Sequence, residues 1–276
     1  MANRLLPLLV APEALDNALG EPGILIVDLC RPDAYTAGHI PGAINLDYAG
    51  LLRQQPPAMG LLPDEERLSE VLSGIGLRSD LHVVAYDDEG NGRAARFLWT
   101  LEAVGHFAYS LLDGGLTAWR AENRRLESGA NAPEPSGYRA SISNPDVVAD
   151  RDYVLHHLGD DNTVVLDARS PAEYAGQDVR AARGGHIPGA VNLEWTQAMD
   201  RANDLRLQPP ETLRTMLKQA GVTPDKEVIT HCQTHHRSAL TFFVMRYLGY
   251  PRIRGYAGSW SEWGNDPELP VETGAE

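Results

Sequence analysis

The chain repeats itself at roughly half its length, and this duplication limits the folds open to it. Residues 38–46 read Gly-His-Ile-Pro-Gly-Ala-Ile-Asn-Leu, and residues 185–193 repeat them with a single Ile-to-Val change. Apolar runs that end at Asp28 and Asp167 precede the two segments, and Trp119 and Trp263 lie near the ends of the copies. The period is far longer than the roughly 20–50 residues of solenoid repeats, so each copy corresponds to a whole domain.

Within each copy, short apolar runs alternate with helical patterns. In the first copy these segments are 24–28, 65–73, 83–86, 93–104 and 110–112. Such alternation is typical of βαβ units. We therefore predict an α/β protein of two tandem domains, each a mainly parallel sheet flanked by helices. The predicted domains are residues 1–126 and 145–276, joined by a linker over 127–144 that begins rich in Pro, Gly and Ser.

A cysteine lies in a tight turn of the second copy. Residues 231–238 read His-Cys-Gln-Thr-His-His-Arg-Ser, between a short apolar run and an amphipathic run that stops at Gly249. Cys232 is thus predicted at the carboxyl end of a strand, where open α/β sheets bind ligands. Inward-facing N–H groups, the helix N-terminus and Arg237 would together hold an anion and lower the thiol pKa. We expect Cys232 to be a nucleophile that faces an anionic substrate.

The first copy lacks this chemistry. Its turn, residues 87–93, reads Asp-Asp-Glu-Gly-Asn-Gly-Arg, so Asp87 stands where the second copy has Cys232. A carboxylate cannot carry sulfur, and three acidic side chains would repel an anion. The first domain is therefore expected to be structural or to supply one wall of the site. Cys30, which has no comparable loop, is expected to be a packed core thiol.

Composition excludes several classes of function. Only 24 lysines and arginines face 38 aspartates and glutamates, a net charge of −14, which argues against binding nucleic acid or an acidic membrane. Two cysteines cannot form a disulfide framework, and a free reactive thiol favours a reducing, cytoplasmic setting. No apolar run is long enough to span a membrane, and Pro7 interrupts the apolar start, which disfavours a signal peptide. A monomer is expected.

Across essentially its whole length, the chain resembles the tandem-domain rhodaneses, which are thiosulfate sulfurtransferases. The resemblance rests on the paired Gly-His-Ile-Pro-Gly-Ala segments, the Asp…Arg…Tyr segments before them and the single cysteine loop. It implies a rhodanese-like fold with an inert N-terminal domain. It also implies transfer of a sulfane sulfur from thiosulfate to cyanide, a thiol or a protein acceptor through a Cys232 persulfide, without cofactor or metal.

The candidate site residues follow from the loop and from the resemblance. Arg237 is expected to contact the substrate anion, with a structural clamp on the loop as the alternative. The resemblance suggests that Arg183 reaches the anionic donor, and Arg180 is the weaker candidate nearby. Residues that recur in both copies, His39 with His186 and Asp28 with Asp167, are expected to be structural. The remaining substrate-binding candidates are Gln233, Thr234, His235, His236 and Ser238, and the candidates for a pocket wall are Trp195 and Tyr256, for which core packing is the alternative.

Four alternatives remain. Tyrosine phosphatases use a His-Cys loop with five residues before the arginine, whereas four separate Cys232 from Arg237. A 3-mercaptopyruvate sulfurtransferase would share the tandem fold but typically has a glycine-rich loop. A non-enzymatic binding module would not need Cys232. Metal binding by the loop histidines is disfavoured, because consecutive ligands on one turn seldom reach tetrahedral geometry.

Overall fold

The fold is described by a computed structural model of residues 5–274. The predicted outer domain ends at residues 1 and 276 lie outside the described residues. The chain forms two compact units. The first comprises the chain up to Leu51, Pro63–Asn144 and Met199–Leu207, so it includes the predicted linker. The second comprises Leu52–Leu62, Pro145–Ala198 and the chain from Gln208 onward.

The two sequence copies form the same succession of elements. The first copy contains β1 (Leu9–Val10), α1 (Pro12–Asn17), β2 (Ile24–Asp28), α2 (Pro32–Ala37), β3 (Ile44–Asn45), a 3-10 helix (Tyr48–Leu51), β4 (Arg53–Gln55), β5 (Ala58–Leu61), α3 (Glu65–Gly74), β6 (His82–Tyr86), α4 (Gly92–Ala103), β7 (Tyr109–Leu112) and α5 (Gly115–Ala121). The second contains a 3-10 helix (Pro145–Val147), β8 (Val148–Ala149), α6 (Arg151–His156), β9 (Thr163–Asp167), α7 (Pro171–Tyr174), β10 (Val191–Asn192), a 3-10 helix (Trp195–Ala198), β11 (Met199–Asp200), β12 (Arg206–Leu207), α8 (Pro210–Gln219), β13 (Glu227–His231), α9 (Arg237–Tyr247), β14 (Ile253–Tyr256) and α10 (Ser259–Trp263).

Each unit is built on a parallel sheet. The strand order is β1-β7-β6-β2-β3 in the first unit and β8-β14-β13-β9-β10 in the second, which is the same order in repeated elements. Every pairing within these two sheets is parallel. The predicted α/β class and the internal duplication are therefore confirmed. The central strands β6 and β13 are buried except at Glu227, as strands in the middle of a parallel sheet covered on both faces are expected to be.

The histidine of each Gly-His-Ile-Pro-Gly segment packs on a tyrosine of the preceding helix. His39 stacks on Tyr35 with ring centroids 4.0 Å apart, and His186 stacks on Tyr174 at 3.7 Å. In each pair the histidine Nδ1 lies 2.9 Å from the tyrosine carbonyl oxygen, to which it donates. The same contact in both copies supports the structural role expected for these histidines.

Each unit also includes a hairpin whose sequence lies within the other copy. The antiparallel pair β4–β5 belongs to the second unit, and β11–β12 belongs to the first. This grouping could not be read from the repeat alone. Among the residues that the structure describes, no helix is long and apolar enough to cross a membrane.

Candidate active site

Cys232 lies at the carboxyl end of a central strand. β13 ends at His231, α9 begins at Arg237, and the predicted strand–turn–helix is confirmed. β13 pairs with β9 on one side and β14 on the other, so the turn emerges between two neighbouring strand ends. The Cys232 side chain is fully buried.

The loop around Cys232 directs its backbone N–H groups inward. His235 has a φ of +55°, in the left-handed region that non-glycine residues seldom adopt, and this turns the loop back over the cysteine. The backbone N–H groups of Thr234 and Ser238 and the Ser238 hydroxyl face the Cys232 thiol and favour its ionised form. The Nδ1 of His235 lies 2.7 Å from the Ser238 Oγ and holds that hydroxyl in place. The arrangement is a cradle for a negatively charged sulfur.

The cradle makes the thiol acidic. Burial by itself would raise the pKa of Cys232, because a thiolate loses its hydration. The positive charge of Arg237 and the hydrogen bonds from Ser238 and Thr234 outweigh burial and lower the pKa of Cys232 to about 7. A large fraction of the thiol is therefore ionised at neutral pH, and the thiolate is the nucleophilic form.

Arg237 is clamped by a carboxylate that the sequence reasoning missed. Its Nη1 and Nη2 lie 2.6 and 2.8 Å from the two carboxylate oxygens of Glu173, which is buried. Burial would raise the pKa of Glu173, but Arg237, the Ser170 N–H and Arg180 lower it to about 2. The sequence carried one signal, since Ser170 and Glu173 form a capping box at the start of α7, but the partner of Glu173 depends on tertiary structure.

Arg180 and Arg183, which lie between α7 and β10, have different surroundings. The Arg183 guanidinium donates to the backbone carbonyls of Trp263, Asp266 and Leu269, which ties it to the C-terminal segment. Arg180 is half-exposed; its Nε and Nη2 donate to Asp178 Oδ2 at 3.0 and 2.8 Å, and its Nε lies 3.6 Å from Glu173.

Gln233 connects the Cys232 loop to the segment between α7 and β10. Its Nε2 donates to the Arg180 carbonyl at 3.1 Å. The main chain at Arg180 therefore lies beside the loop, whereas the Arg183 guanidinium is bonded to backbone carbonyls.

The other candidate residues divide between the loop rim and the core. The rings of Trp195 and His236 are tilted against each other 5.8 Å apart, and both side chains are partly exposed. Tyr256 is fully buried, packs edge-on against Trp263 and donates its hydroxyl to Glu262. Trp195 thus lies beside the Cys232 loop, and Tyr256 lies in the hydrophobic core.

The start of α10 holds the outer side of the Cys232 loop. The Cys232 N–H donates to Ser259 Oγ at 3.3 Å, and the Trp260 N–H donates to the Cys232 carbonyl at 2.9 Å. The Ser261 N–H donates to the Gln233 carbonyl at 3.0 Å. These bonds satisfy the backbone groups that point away from the cradle. Sequence reasoning did not identify this clamp, because these residues follow Cys232 by nearly thirty positions.

Three buried ionisable side chains, Asp167, Arg169 and His231, lie next to one another at the strand ends below the loop. Arg169 Nη2 is 2.5 Å from Asp167 Oδ2 and also donates to the Gly185 carbonyl at 2.7 Å. His231 Nε2 lies 3.6 Å from the same Asp167 oxygen, and burial lowers the pKa of His231 to about 4 despite that carboxylate. His231 is therefore neutral at pH 7, and the Asp167–Arg169 pair joins the strand ends below Cys232.

The corresponding turn of the first unit is filled by its own carboxylate. The two carboxylate oxygens of Asp87 accept from the backbone N–H groups of Glu89, Asn91, Arg93 and Ala94, at 2.7–3.1 Å. The repeat therefore preserves an anion cradle in both units. In the first unit a fixed side chain occupies it, and in the second a thiolate does.

Among residues 5–274, no group of three or more His, Cys, Asp or Glu side chains is arranged to hold a metal ion. Cys30 is buried, and burial together with Asp28 raises the pKa of its thiol, so it stays protonated at neutral pH. This agrees with the packed core thiol expected from the sequence.

Comparison with known proteins identifies the family. Residues 11–122 and 150–266 each match the model of the rhodanese-like domain. The protein is 49% identical to a thiosulfate sulfurtransferase of Azotobacter vinelandii and 47% identical to one of Pseudomonas aeruginosa, in both cases over 97% of each chain. The crystal structure of YnjE matches with a TM-score of 0.86 at 24% identity, over 98% of this chain and 69% of that one, a likeness of fold. The chain belongs to the rhodanese family and contains two rhodanese-like domains.

Proposed function

We propose that the protein is a thiosulfate sulfurtransferase that carries the transferred sulfur as a persulfide on Cys232. The observation that carries this proposal is the environment of Cys232: a buried thiol in the turn between β13 and α9, where Arg237, Ser238 and Thr234 lower its pKa to about 7. The names of the two curated relatives support thiosulfate as the sulfur donor.

The reaction proceeds in two displacements. The Cys232 thiolate attacks the outer sulfur of thiosulfate, a new S–S bond forms, and the original S–S bond breaks with its electron pair leaving on sulfite. The acceptor, for example cyanide, then attacks the terminal sulfur of the persulfide, and the Cys–S–S bond breaks with its electron pair returning to the cysteine. Neither step needs an external oxidant or reductant. Ping-pong kinetics are expected for such covalent catalysis.

The cradle suits this intermediate. An S–S bond is about 2 Å long, so the terminal sulfur of the persulfide extends about that far beyond the Cys232 Sγ. Its negative charge would be stabilised by the inward N–H groups of the loop, in the way that an oxyanion hole stabilises an oxyanion. Four residues separate Cys232 from Arg237, a shorter loop than that of the phosphatases, which favours a single sulfur over a phosphoryl group.

We infer that the sulfonate end of the donor meets the loop rim. Arg237 directs its fork at Glu173, so it contributes positive charge beside the sulfur more than contacts to the sulfonate. The Gln233 amide, His236 and the half-exposed Arg180 are the polar groups at the rim that could receive sulfonate oxygens. A contact of Arg183 with the anionic donor stays a prediction, which the variants Arg180→Ala and Arg183→Ala test. We likewise propose that the acceptor is cyanide, a thiol or a protein, and that the protein is monomeric and cytoplasmic.

Mass spectrometry of the intact protein tests the proposal. After incubation with thiosulfate and removal of excess donor, the protein should gain the mass of one sulfur, and cyanide should remove it. Cys232→Ser should gain none, whereas the matched variant Cys30→Ala should behave as the native protein, because Cys30 is a buried, protonated core thiol. Sulfur uptake by Cys232→Ser would exclude Cys232 as the carrier.

A donor comparison separates the two sulfurtransferase alternatives. With cyanide as the acceptor, kcat/KM should be higher for thiosulfate than for 3-mercaptopyruvate. A clear preference for 3-mercaptopyruvate would reassign the donor while leaving the Cys232 persulfide intact.

A further inference from the structure

A hairpin encoded in the first sequence copy packs on the catalytic loop of the second unit. The hairpin is β4–β5, and the Leu52–Leu62 segment that contains it is part of that unit. Its buried residue Gly60 lies against Thr234: a Cβ built on Gly60 would be 2.3 Å from the Thr234 carbonyl oxygen and 2.8 Å from its carbonyl carbon. The φ of Gly60 lies outside the left-handed region, so close approach, rather than backbone conformation, requires glycine there.

A second contact ties the same hairpin to the loop through α10. The Met59 N–H donates to Ser261 Oγ at 3.1 Å, and Ser261 in turn donates its N–H to the Gln233 carbonyl at 3.0 Å. The hairpin therefore touches Thr234 directly and reaches Gln233 through one residue. These are the two positions that follow Cys232 in the chain.

We propose that the β4–β5 hairpin is a positioning element of the active site, and that Gly60 sets the backbone of Thr234 so that its N–H points at the Cys232 sulfur. The first copy, which lacks a nucleophile, thereby contributes to catalysis in the second unit. This inference rests on Cys232 being the nucleophile of the proposed function. Gly60 touches no reacting atom and acts through Thr234.

The first unit contains a natural comparison. Its hairpin β11–β12 packs on the turn that precedes α5, where the Leu207 N–H donates to Asp113 at 2.8 Å. A Cβ on Gly114 would lie 2.7 Å from the Asp204 carbonyl oxygen and 2.5 Å from the Ala118 Cβ. Gly114 is thus as crowded as Gly60, and its φ of +74° adds a backbone requirement for glycine that Gly60 lacks, but it lies in the unit whose cradle holds Asp87 instead of a thiol.

The test compares Gly60→Ala with Gly114→Ala in the full chain. The pKa of Cys232 is measured from the pH dependence of alkylation by iodoacetamide, which needs no sulfur donor, and kcat and KM are measured with thiosulfate and cyanide. In Gly60→Ala, the added methyl displaces the Thr234 backbone, so the thiol pKa should rise by about one unit and kcat should fall about tenfold, the usual effect of losing a hydrogen bond to a charged group. Gly114→Ala should lower Tm without changing either quantity.

Ser261→Ala is the second variant, in case Gly60→Ala does not fold. It removes the hydroxyl that receives the Met59 N–H but keeps the backbone bond to Gln233, and it should raise the thiol pKa by a smaller amount. An unchanged thiol pKa and kcat in a folded Gly60→Ala, or in Ser261→Ala if the former is unfolded, would overturn the proposal. Failure of native Cys232 to take up sulfur would instead refute the proposed function, and the alkylation measurement would still report on the hairpin.

Discussion

The ion pair between Glu173 and Arg237 predicts two effects of opposite sign when it is broken. Glu173 is buried, and its two carboxylate oxygens lie 2.6 and 2.8 Å from the guanidinium of Arg237. Its pKa falls from 4.5 to about 2, which corresponds to roughly 3 kcal/mol of folding free energy at neutral pH. Because the folded pKa lies below the unfolded one, this contribution is complete above about pH 4.5 and is lost as the pH falls toward 2.

Glu173→Gln keeps the shape of the side chain and removes its charge. The free energy of unfolding at pH 7 should fall by roughly 2–3 kcal/mol, because the largely buried Arg237 loses its counter-charge. At the same time, the uncompensated Arg237 should stabilise the neighbouring thiolate more strongly, so the pKa of Cys232 should fall below 7 by about half a unit or more. The protein should therefore become less stable while its thiol becomes more acidic.

Urea denaturation and the pH dependence of iodoacetamide alkylation measure the two effects separately. The matched control is Glu89→Gln in the first unit, which breaks a more exposed pair with Arg93 at 2.9 Å and should cost no more than about 1 kcal/mol. A Glu173→Gln protein of native stability, or one whose thiol pKa rises, would refute the reasoning. Either result would mean that Arg237 does not interact electrostatically with both the Glu173 carboxylate and the Cys232 sulfur.

Two further predictions concern Asp87 in the turn of the first unit and the arginines Arg180 and Arg183. Asp87→Ala should lower the free energy of unfolding by about 1–2 kcal/mol, because buried backbone N–H groups lose their acceptor. Sulfur uptake at Cys232 should stay native. An unchanged free energy of unfolding in chemical denaturation would contradict the cradle described for the first unit. Arg180→Ala should raise KM for thiosulfate with little change in Tm, whereas Arg183→Ala should lower Tm because three backbone carbonyls lose their donor. The reverse pattern would return the donor contact to Arg183.

Much of the fold could be predicted because its signals are local and occur twice. The alternation of apolar runs with helical patterns predicted parallel sheets, and the two sheets have the same strand order. The turn at Cys232 could also be predicted, since a strand pattern, a helix pattern and the residues between them are contiguous in sequence. The comparison of Asp87 with Cys232 needed only the repeat.

The contacts between distant segments could not be predicted in this way. Charge and position favour Arg237 as a contact to the substrate anion, with a structural clamp on the loop as the alternative, and nothing in the sequence pairs it with Glu173, 64 residues earlier. Arg183 had a charge suited to the donor, but its guanidinium is surrounded by carbonyls of the C-terminal segment. Charge and position in the sequence indicate what a side chain could bind, whereas its actual partner depends on which segments the fold brings together.

The sequence by itself determined the duplication, the α/β class and the one copy able to carry a nucleophile, because each depends on residue type and short-range spacing. Only the tertiary structure decided how that nucleophile is tuned. Glu173 turns Arg237 from a free cation into a clamped one, and Gly60, from the copy whose turn has Asp87 in place of the cysteine, lies against Thr234. Both effects need atoms within a few ångströms across a long stretch of chain, and such proximity is set by the packing of the whole unit.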